Sequence, residues 1–191
     1  MPENQSTDIE LWNAFKNKDK NAFDLLFKLF YPSLFLYGFK ITRDRALLED
    51  AIQELFLELW TTTAKSKVRS VKAYLFRALQ YKLIKKLNDN KLTRYPADDN
   101  FQYNFEVSHE TLLVAQQTTE EDRNRIINFM ARLSARQREI IYLRFYRNMP
   151  YEDISEIMGI NYQASRNLLS QSVKALRELM TSAAGVIRCF I

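Results

Sequence analysis

The sequence predicts an all-α protein of two small helical domains joined by an acidic linker. Only 3 glycines and 4 prolines occur among 191 residues, although turns and strand bulges depend on both. Apolar side chains recur every three or four residues along most of the chain, which is the helical period. That periodicity fades over residues 91–119, which we interpret as the acidic flexible linker. The first domain is therefore placed at 1–90 and the second at 120–182.

The first domain divides into four predicted helices. They begin near Asp8, Asn21, Asp44 and Ser70, and we expect Asp8, Asp44 and Ser70 to cap their helices. Pro32 lies inside the second helix and is expected to kink or split it, because proline removes a helical hydrogen bond. The third helix is expected to end near Thr63. The core positions of the third and fourth helices are Leu48, Ile52, Leu55, Phe56, Leu59, Val71, Leu75, Leu79, Leu83 and Leu87.

The second domain returns to a strong helical pattern. Ser134, Pro150 and Gly159 interrupt it and mark the expected helix boundaries. The C-terminal tail, residues 183–191, lies beyond the predicted domain, and we expect it to dock on the second domain or on a regulator.

Composition excludes several classes of protein. No apolar run approaches the roughly 18 residues that a membrane-spanning helix needs. The polar, acidic N-terminus lacks the pattern of a signal peptide, and the single Cys189 allows no internal disulfide, so we expect a cytoplasmic protein. Cys189 and the lone His109 leave no cysteine- or histidine-based metal site, and neither a metal nor a cofactor is expected.

Charge alternates along the chain in large blocks. Residues 65–94 carry a net charge of +9 and residues 125–191 carry +5, while residues 95–124 between them carry −6. This pattern indicates two surfaces that face a polyanion, separated by a segment that a polyanion repels. Solvated helix faces flanking a disordered acidic linker are the alternative interpretation.

The most specific motif covers residues 151–169 and fits a helix-turn-helix. Small Ser155 permits close approach of the second helix, Gly159 can end the first, and Asn161 can cap the second. The second helix then presents one polar face with side chains that can contact bases and phosphates. An ordinary solvated helix is the alternative. The residues on this face are Gln163, Arg166, Asn167, Ser170, Gln171 and Lys174.

Two weaker patterns occur in the first domain. The fourth helix interleaves basic and aromatic side chains, which can hold phosphates and stack on unpaired bases: Lys72, Tyr74, Arg77, Tyr81, Lys82, Lys85 and Lys86. The third helix carries a polar stripe with one projecting leucine, which suits docking onto another helix: Asp50, Gln53, Glu54 and Leu57. Each pattern also fits a solvated helix face.

These segments together resemble the extracytoplasmic-function (ECF) sigma factors of bacterial RNA polymerase, over nearly the whole chain. Residues 50–60 look like the family's polymerase-binding helix, and residues 133–145 with the helix-turn-helix look like its second domain. The sequence Asn161-Tyr162-Gln163 at the start of the recognition helix resembles the Bacteroidetes type.

The resemblance implies a role for each pattern. The third-helix stripe would contact the clamp coiled coil of the largest polymerase subunit, and the second domain would meet the flap. The loop around residues 65–70 and the fourth helix would capture and melt the −10 promoter element, through Lys72, Tyr74, Arg77, Tyr81 and Lys82. The polar face of the recognition helix would read the −35 element, with Arg144 and Lys174 on phosphates. The acidic linker would thread toward the RNA path of the polymerase. The resemblance also implies an anti-sigma partner, either soluble or bound to the membrane.

Departures from the family in two helices bear on these roles. Tyr74 stands where the family often has tryptophan, which implies weaker melting. In the recognition helix, Ser165 and Leu168 stand where the family usually has an aliphatic and a basic residue, which implies a less stable second domain or an uncommon −35 sequence.

Two other functions fit parts of the sequence. A stand-alone helix-turn-helix regulator that binds duplex DNA as a dimer would share the second domain, but it leaves both first-domain patterns unexplained. An enzyme acting on nucleic acid would need clustered carboxylates or an activated nucleophile. The acidic clusters lie in linker-like sequence without a partner histidine, and no phosphate-binding Gly-Lys loop is present, so no enzymatic activity is expected.

Overall fold

A computed structural model of the chain describes residues 3–62, 68–90, 104–106 and 120–182. These residues form two compact units and contain helices but no strands. The first unit is built on α1 (Glu3–Lys16), α2 (Lys20–Ile41), α3 (Arg45–Thr61) and α4 (Val71–Asn90). The second is built on α5 (Glu120–Ala131), α6 (Ala135–Ile141), the first part of α7 (Tyr151–Met158) and α8 (Tyr162–Ser182), while Glu156–Gly159 group with the first unit. Most of the predicted linker and all of the predicted tail lie outside the described residues.

In the first unit, α2 packs against the other three helices. Every predicted core residue of α3 is buried, as are those of α4 except Leu87, which is partly exposed. Burying a Leu, Ile or Phe side chain contributes roughly 1.5–3 kcal/mol, so these stripes account for the association of the four helices. Gly38 of α2 permits close approach, since a Cβ there would overlap the Leu48 side chain.

Predicted caps of this unit are confirmed at two helices. The Asp44 carboxylate accepts a hydrogen bond from the Leu47 amide (3.0 Å), and the Ser70 hydroxyl accepts one from Ala73 (3.2 Å). The cap predicted at Asp8 is wrong, because α1 already begins at Glu3 and Asp8 lies inside it. α3 ends at Thr61, two residues before the predicted position.

The predicted split of α2 at Pro32 is also wrong, because the helix is continuous from Lys20 to Ile41. Pro32 is exposed, so the hydrogen bond that it cannot make is lost on the solvent side of the helix. By length and mean hydropathy α2 meets the criterion for a membrane-spanning helix, contrary to the sequence prediction that no segment would. Core helices of helical domains meet the same criterion, and α2 occupies that place here.

The second unit follows the predicted boundaries. Ser134 and Gln137 form a reciprocal capping box at α6, and Gly159 ends α7 with φ +63°. The Asn161 carboxamide oxygen accepts the Ala164 amide (2.7 Å) at the start of α8. Between α6 and α7 the backbone forms one π-helical turn, Tyr142–Tyr146, which the sequence pattern did not predict.

Residues 104–106, assigned by sequence to the flexible linker, belong to the second unit. The Phe105 ring is fully buried and lies 5.5 Å from the Tyr142 ring, centroid to centroid. The Arg138 guanidinium donates to the Phe105 carbonyl and to the Asn104 side chain (3.0 Å). This part of the linker is therefore fixed to the second unit by an aromatic contact and a multiply bonded arginine.

Candidate nucleic-acid and polymerase interfaces

The recognition helix α8 exposes all six predicted residues along one face. Gln163, Asn167, Ser170 and Lys174 follow each other at intervals of three and four, so their side chains project in the same direction. The opposite side of α8 is buried at Ser165, Leu169 and Ser172. Gln163 donates to the Asn167 carboxamide oxygen (3.0 Å), which fixes the orientation of both amides. The arrangement leaves amide, guanidinium and hydroxyl groups free to meet base edges and phosphates.

The packing of α7 on α8 depends on a pair of serine hydroxyls. The single proton of the Ser155 hydroxyl lies within donating distance of both Ser165 Oγ (3.0 Å) and the Tyr151 carbonyl (2.6 Å), and the Ser165 hydroxyl donates to the Tyr162 carbonyl (2.7 Å). Ser165 is fully buried, yet its hydroxyl has partners, so the desolvation cost expected from the sequence is offset. Ser155 thus supplies a polar neighbour for the hydroxyl of Ser165, which an aliphatic residue at position 165 would not need.

A row of aromatic and basic groups lies at the N-terminal end of α8. The Arg144 guanidinium stands 5.1 Å from the Tyr151 ring, Tyr151 contacts Tyr162 edge-on at 5.8 Å, and Arg166 lies 6.0 Å from Tyr162. Arg144 also donates to the Met149 carbonyl (3.0 Å). The two tyrosines were missed by sequence reasoning. The available signal was an aromatic residue at the first position of each helix of the motif.

The fourth helix divides the predicted DNA-binding residues among three directions. Arg77 and Tyr81 are exposed one turn apart, and Tyr81 is 72% exposed. Lys85, one turn further, extends the same exposed row; it belongs to the basic and aromatic pattern of the sequence, although the resemblance gave it no −10 role. Lys72 projects toward α1, where its charge acts on Asp8.

Tyr74 and Lys82 make contacts within the first unit. The Tyr74 ring packs edge-on against Trp12 at 5.4 Å, and burial raises the pKa of its hydroxyl. Lys82 bonds to carboxylates of α3, at 2.6 Å from Glu58 and 3.4 Å from Glu54. The structure therefore brings Lys82 to the predicted polymerase-binding helix rather than to the exposed row on α4.

The predicted polymerase-binding residues share the outer side of α3. Asp50, Gln53 and Leu57 are exposed, Leu57 by 58%, and Glu54 is partly exposed. Lys86 bonds to Asp50 at 2.6 Å and to Glu54 at 2.8 Å, and its ammonium holds the pKa of Asp50 below the usual range. Acidic groups surrounding a projecting leucine are suited to a helix that carries cationic and apolar side chains.

Comparison with known proteins places this architecture in one class. The family profile described as Sigma-70 region 2 matches residues 26–93, and the profile described as Sigma-70, region 4 matches residues 123–176. The fold and its helix-turn-helix are thus those of a sigma factor, the class of protein that directs RNA polymerase to promoters.

Individual relatives narrow the class. The ECF RNA polymerase sigma factor SigK of Mycobacterium sp. (strain JLS) is 21% identical over 183 residues, covering 92% of each chain. The ECF sigma factor SigL of Mycobacterium tuberculosis (strain H37Rv) is 27% identical over 163 residues, covering 81% of this chain and 86% of the relative. SigM of Bacillus subtilis (strain 168) is 22% identical over 156 residues, covering 82% and 93%. The chain belongs to the ECF group of sigma-70 factors.

Two solved structures share the fold. One is CnrH in complex with the cytosolic domain of CnrY, with a TM-score of 0.59 and 18% identity over 93% of this chain and 99% of the other. The second is RpoE in complex with the anti-sigma factor NepR from Bartonella quintana, with a TM-score of 0.57 and 22% identity over 83% and 96%.

Proposed function

We propose that this sigma factor divides promoter recognition between its two units, with the −35 element read by α8 and the −10 element captured by α4. The carrying observation is that all six predicted residues of α8 are exposed on one face while its other side is buried. Arg144 and Lys174 would contact flanking phosphates. The exposed row Arg77, Tyr81 and Lys85 supplies the cationic and stacking groups for the −10 element.

The reading face is tested by Arg166→Ala in holoenzyme reconstituted with bacterial core polymerase. Arginine contacts guanine through two hydrogen bonds, and a lost bidentate contact costs about 1–3 kcal/mol of discrimination at one base pair. We expect Arg166→Ala to lose selectivity at one −35 position, measured over a set of promoter variants. Arg132→Ala, which removes the same charge from an exposed position of the second unit, serves as the control. Uniform loss across all variants would contradict a base-reading role.

The same proposal assigns Asp50, Gln53, Glu54 and Leu57 to the clamp coiled coil of the polymerase. The projecting leucine among acidic groups supports it. Leu57→Ala should weaken co-elution with core polymerase, while Thr61→Ala, one turn along α3 and also exposed, should not. Equal behaviour of the two variants would remove α3 from the interface. Tight binding to duplex DNA by the free protein, without co-elution, would instead indicate the stand-alone regulator.

An anti-sigma factor belongs to the proposal. Of the two structural neighbours, RpoE is bound to an anti-sigma factor and CnrH to the cytosolic domain of CnrY. This chain exposes three leucines on one side of α2, Leu25, Leu29 and Leu36. A row of exposed leucines is typical of a protein-docking surface. A purified partner from the host should block polymerase binding by the wild-type chain but not by Leu29→Gln. The sequence Asn161-Tyr162-Gln163 also supports a host of the Bacteroidetes type. A protein that assembles with RNA polymerase would act in the cytoplasm.

A further inference from the structure

Five charged side chains form a continuous ladder between α3 and α4. Along it, carboxylates of α3 alternate with lysines of α4 in the order Asp50, Lys86, Glu54, Lys82 and Glu58, with nitrogen–oxygen distances of 2.6, 2.8, 3.4 and 2.6 Å. Partners further along α3 lie earlier on α4, so the two helices run antiparallel with this register. Each lysine therefore has two carboxylate partners, and Glu54 serves both.

The lysines are the enclosed members of the ladder. The side chain of Lys82 is 14% exposed and that of Lys86 is 25% exposed, whereas Asp50 and Glu58 are mostly exposed. The paired carboxylates also raise the pKa of Lys86, so both partners keep their charge at neutral pH. An ammonium group that donates to two carboxylates has few hydrogen bonds left for a phosphate. In the free protein, Lys82 and Lys86 are thus withheld from DNA by α3.

We propose that the ladder is an exchange switch: polymerase cations that bind Asp50, Glu54 and Glu58 displace Lys86 and Lys82, which then become available to promoter phosphates. This rests on the proposed role of α3 in binding polymerase. The carboxylates that would bind polymerase are the same ones that hold the two lysines. Polymerase bound to these carboxylates therefore changes the charge that α4 presents. DNA capture by α4 then follows assembly with polymerase, because the carboxylates of α3 neutralise the lysines of α4 until polymerase binds those carboxylates.

The first test uses the free chain and needs no polymerase. Glu54→Gln with Glu58→Gln removes both partners of Lys82. Binding to a fluorescein-labelled single-stranded 12-mer is measured by anisotropy across a salt series. One newly released cation should steepen the slope of log K against log salt by about 0.7, the value per phosphate contact on single strands. Adding Lys82→Met should return the slope to that of the wild type.

The matched control is Glu10→Gln with Asp24→Asn, which removes the same charge from exposed positions of α1 and α2. It should leave the slope unchanged. If the control steepens the slope as much as Glu54→Gln with Glu58→Gln does, the gain is a general charge effect and the exchange is refuted. If neither changes the slope, Lys82 is purely structural, which also refutes it.

The second test compares the free chain with holoenzyme. Lys82→Met should leave single-strand binding by the free chain unchanged and flatten the salt slope of promoter binding by holoenzyme by about 0.7. An equal loss in both states would make Lys82 a permanent DNA contact and overturn the proposal. Failure of the proposed polymerase interface would look different, because Leu57→Ala and Thr61→Ala would then co-elute with core polymerase equally well.

Discussion

Replacing Arg138 by methionine should destabilise the second unit selectively. The guanidinium donates to four acceptors: the carbonyls of Phe105, Ala131 (3.1 Å) and Leu133 (2.8 Å) and the Asn104 side chain (3.0 Å). The bonds to Phe105 and Leu133 are partly buried, while water can replace the other two. At about 1.5 kcal/mol for each charge-assisted bond that water cannot replace, the loss is about 3 kcal/mol.

The two units can be followed separately, because both tryptophans, Trp12 and Trp60, lie in the first. Tryptophan fluorescence in urea then reports the first unit, and far-UV circular dichroism reports both. The transition of the second unit appears in circular dichroism without a change in fluorescence. We expect Arg138→Met to move this transition alone, lowering its urea midpoint by about 1.5 M if the free energy of unfolding falls by about 2 kcal/mol per M urea. Arg132→Met removes the same charge from an exposed site and should move neither transition.

A double-mutant cycle with Phe105→Ala tests whether the anchor acts as one unit. If residues 104–106 are fixed jointly by the buried ring and by Arg138, removing either one releases the segment. The double variant should then lose less stability than the sum of the two single losses. Strict additivity would show that Arg138 stabilises α5 and α6 independently of the linker. A shift no larger than that of Arg132→Met would refute the reasoning altogether.

Three further predictions concern packing and pH. Gly38→Ala places a methyl group against Leu48 and should cost about 1–3 kcal/mol of first-unit stability by tryptophan fluorescence; an unchanged urea midpoint would show that the helices separate freely. Ser165→Ala should cost about 1 kcal/mol by circular dichroism, since it leaves Ser155 with one partner fewer, and Ser155→Ala in that background should add little; full additivity would contradict the pair. Burial raises the pKa of Tyr146 to about 12, so the folded state favours the neutral phenol and loses stability as pH rises from about 10 to about 12. In urea melts across this pH window, Tyr146→Phe should remove that part of the stability loss. An identical pH dependence of the wild type and the variant would disprove the prediction.

The features that sequence reasoning predicted correctly are local ones. Asp44, Ser70, Ser134 and Asn161 each cap a helix through a hydrogen bond to an amide within three residues, so the sequence spacing alone contains the contact. The exposed face of α8 follows in the same way from the helical period, and so do the buried stripes of α3 and α4.

The features that it missed depend on which surface lies opposite. Pro32 does not split α2 because the missing bond faces solvent, and the helical period alone does not say which side of α2 that is. The Phe105 contact with Tyr142 and the Arg138 bonds to Phe105 and Asn104 join positions more than thirty residues apart, so no local spacing indicates them. The flank of α4 that carries Lys82 could be recognised as facing α3 only once the antiparallel register of the two helices was known.

Packing also separates the two tyrosines that the sequence placed together on α4. Tyr74 is partly buried against Trp12, so stacking a base on it would require the aromatic contact to open. Tyr81 is mostly exposed and is flanked one turn away by Arg77 and Lys85, so a base can stack on it while the phosphates meet cations on either side. Tyr74 therefore contributes first to the packing of α1 on α4, and our proposal assigns base stacking to Tyr81.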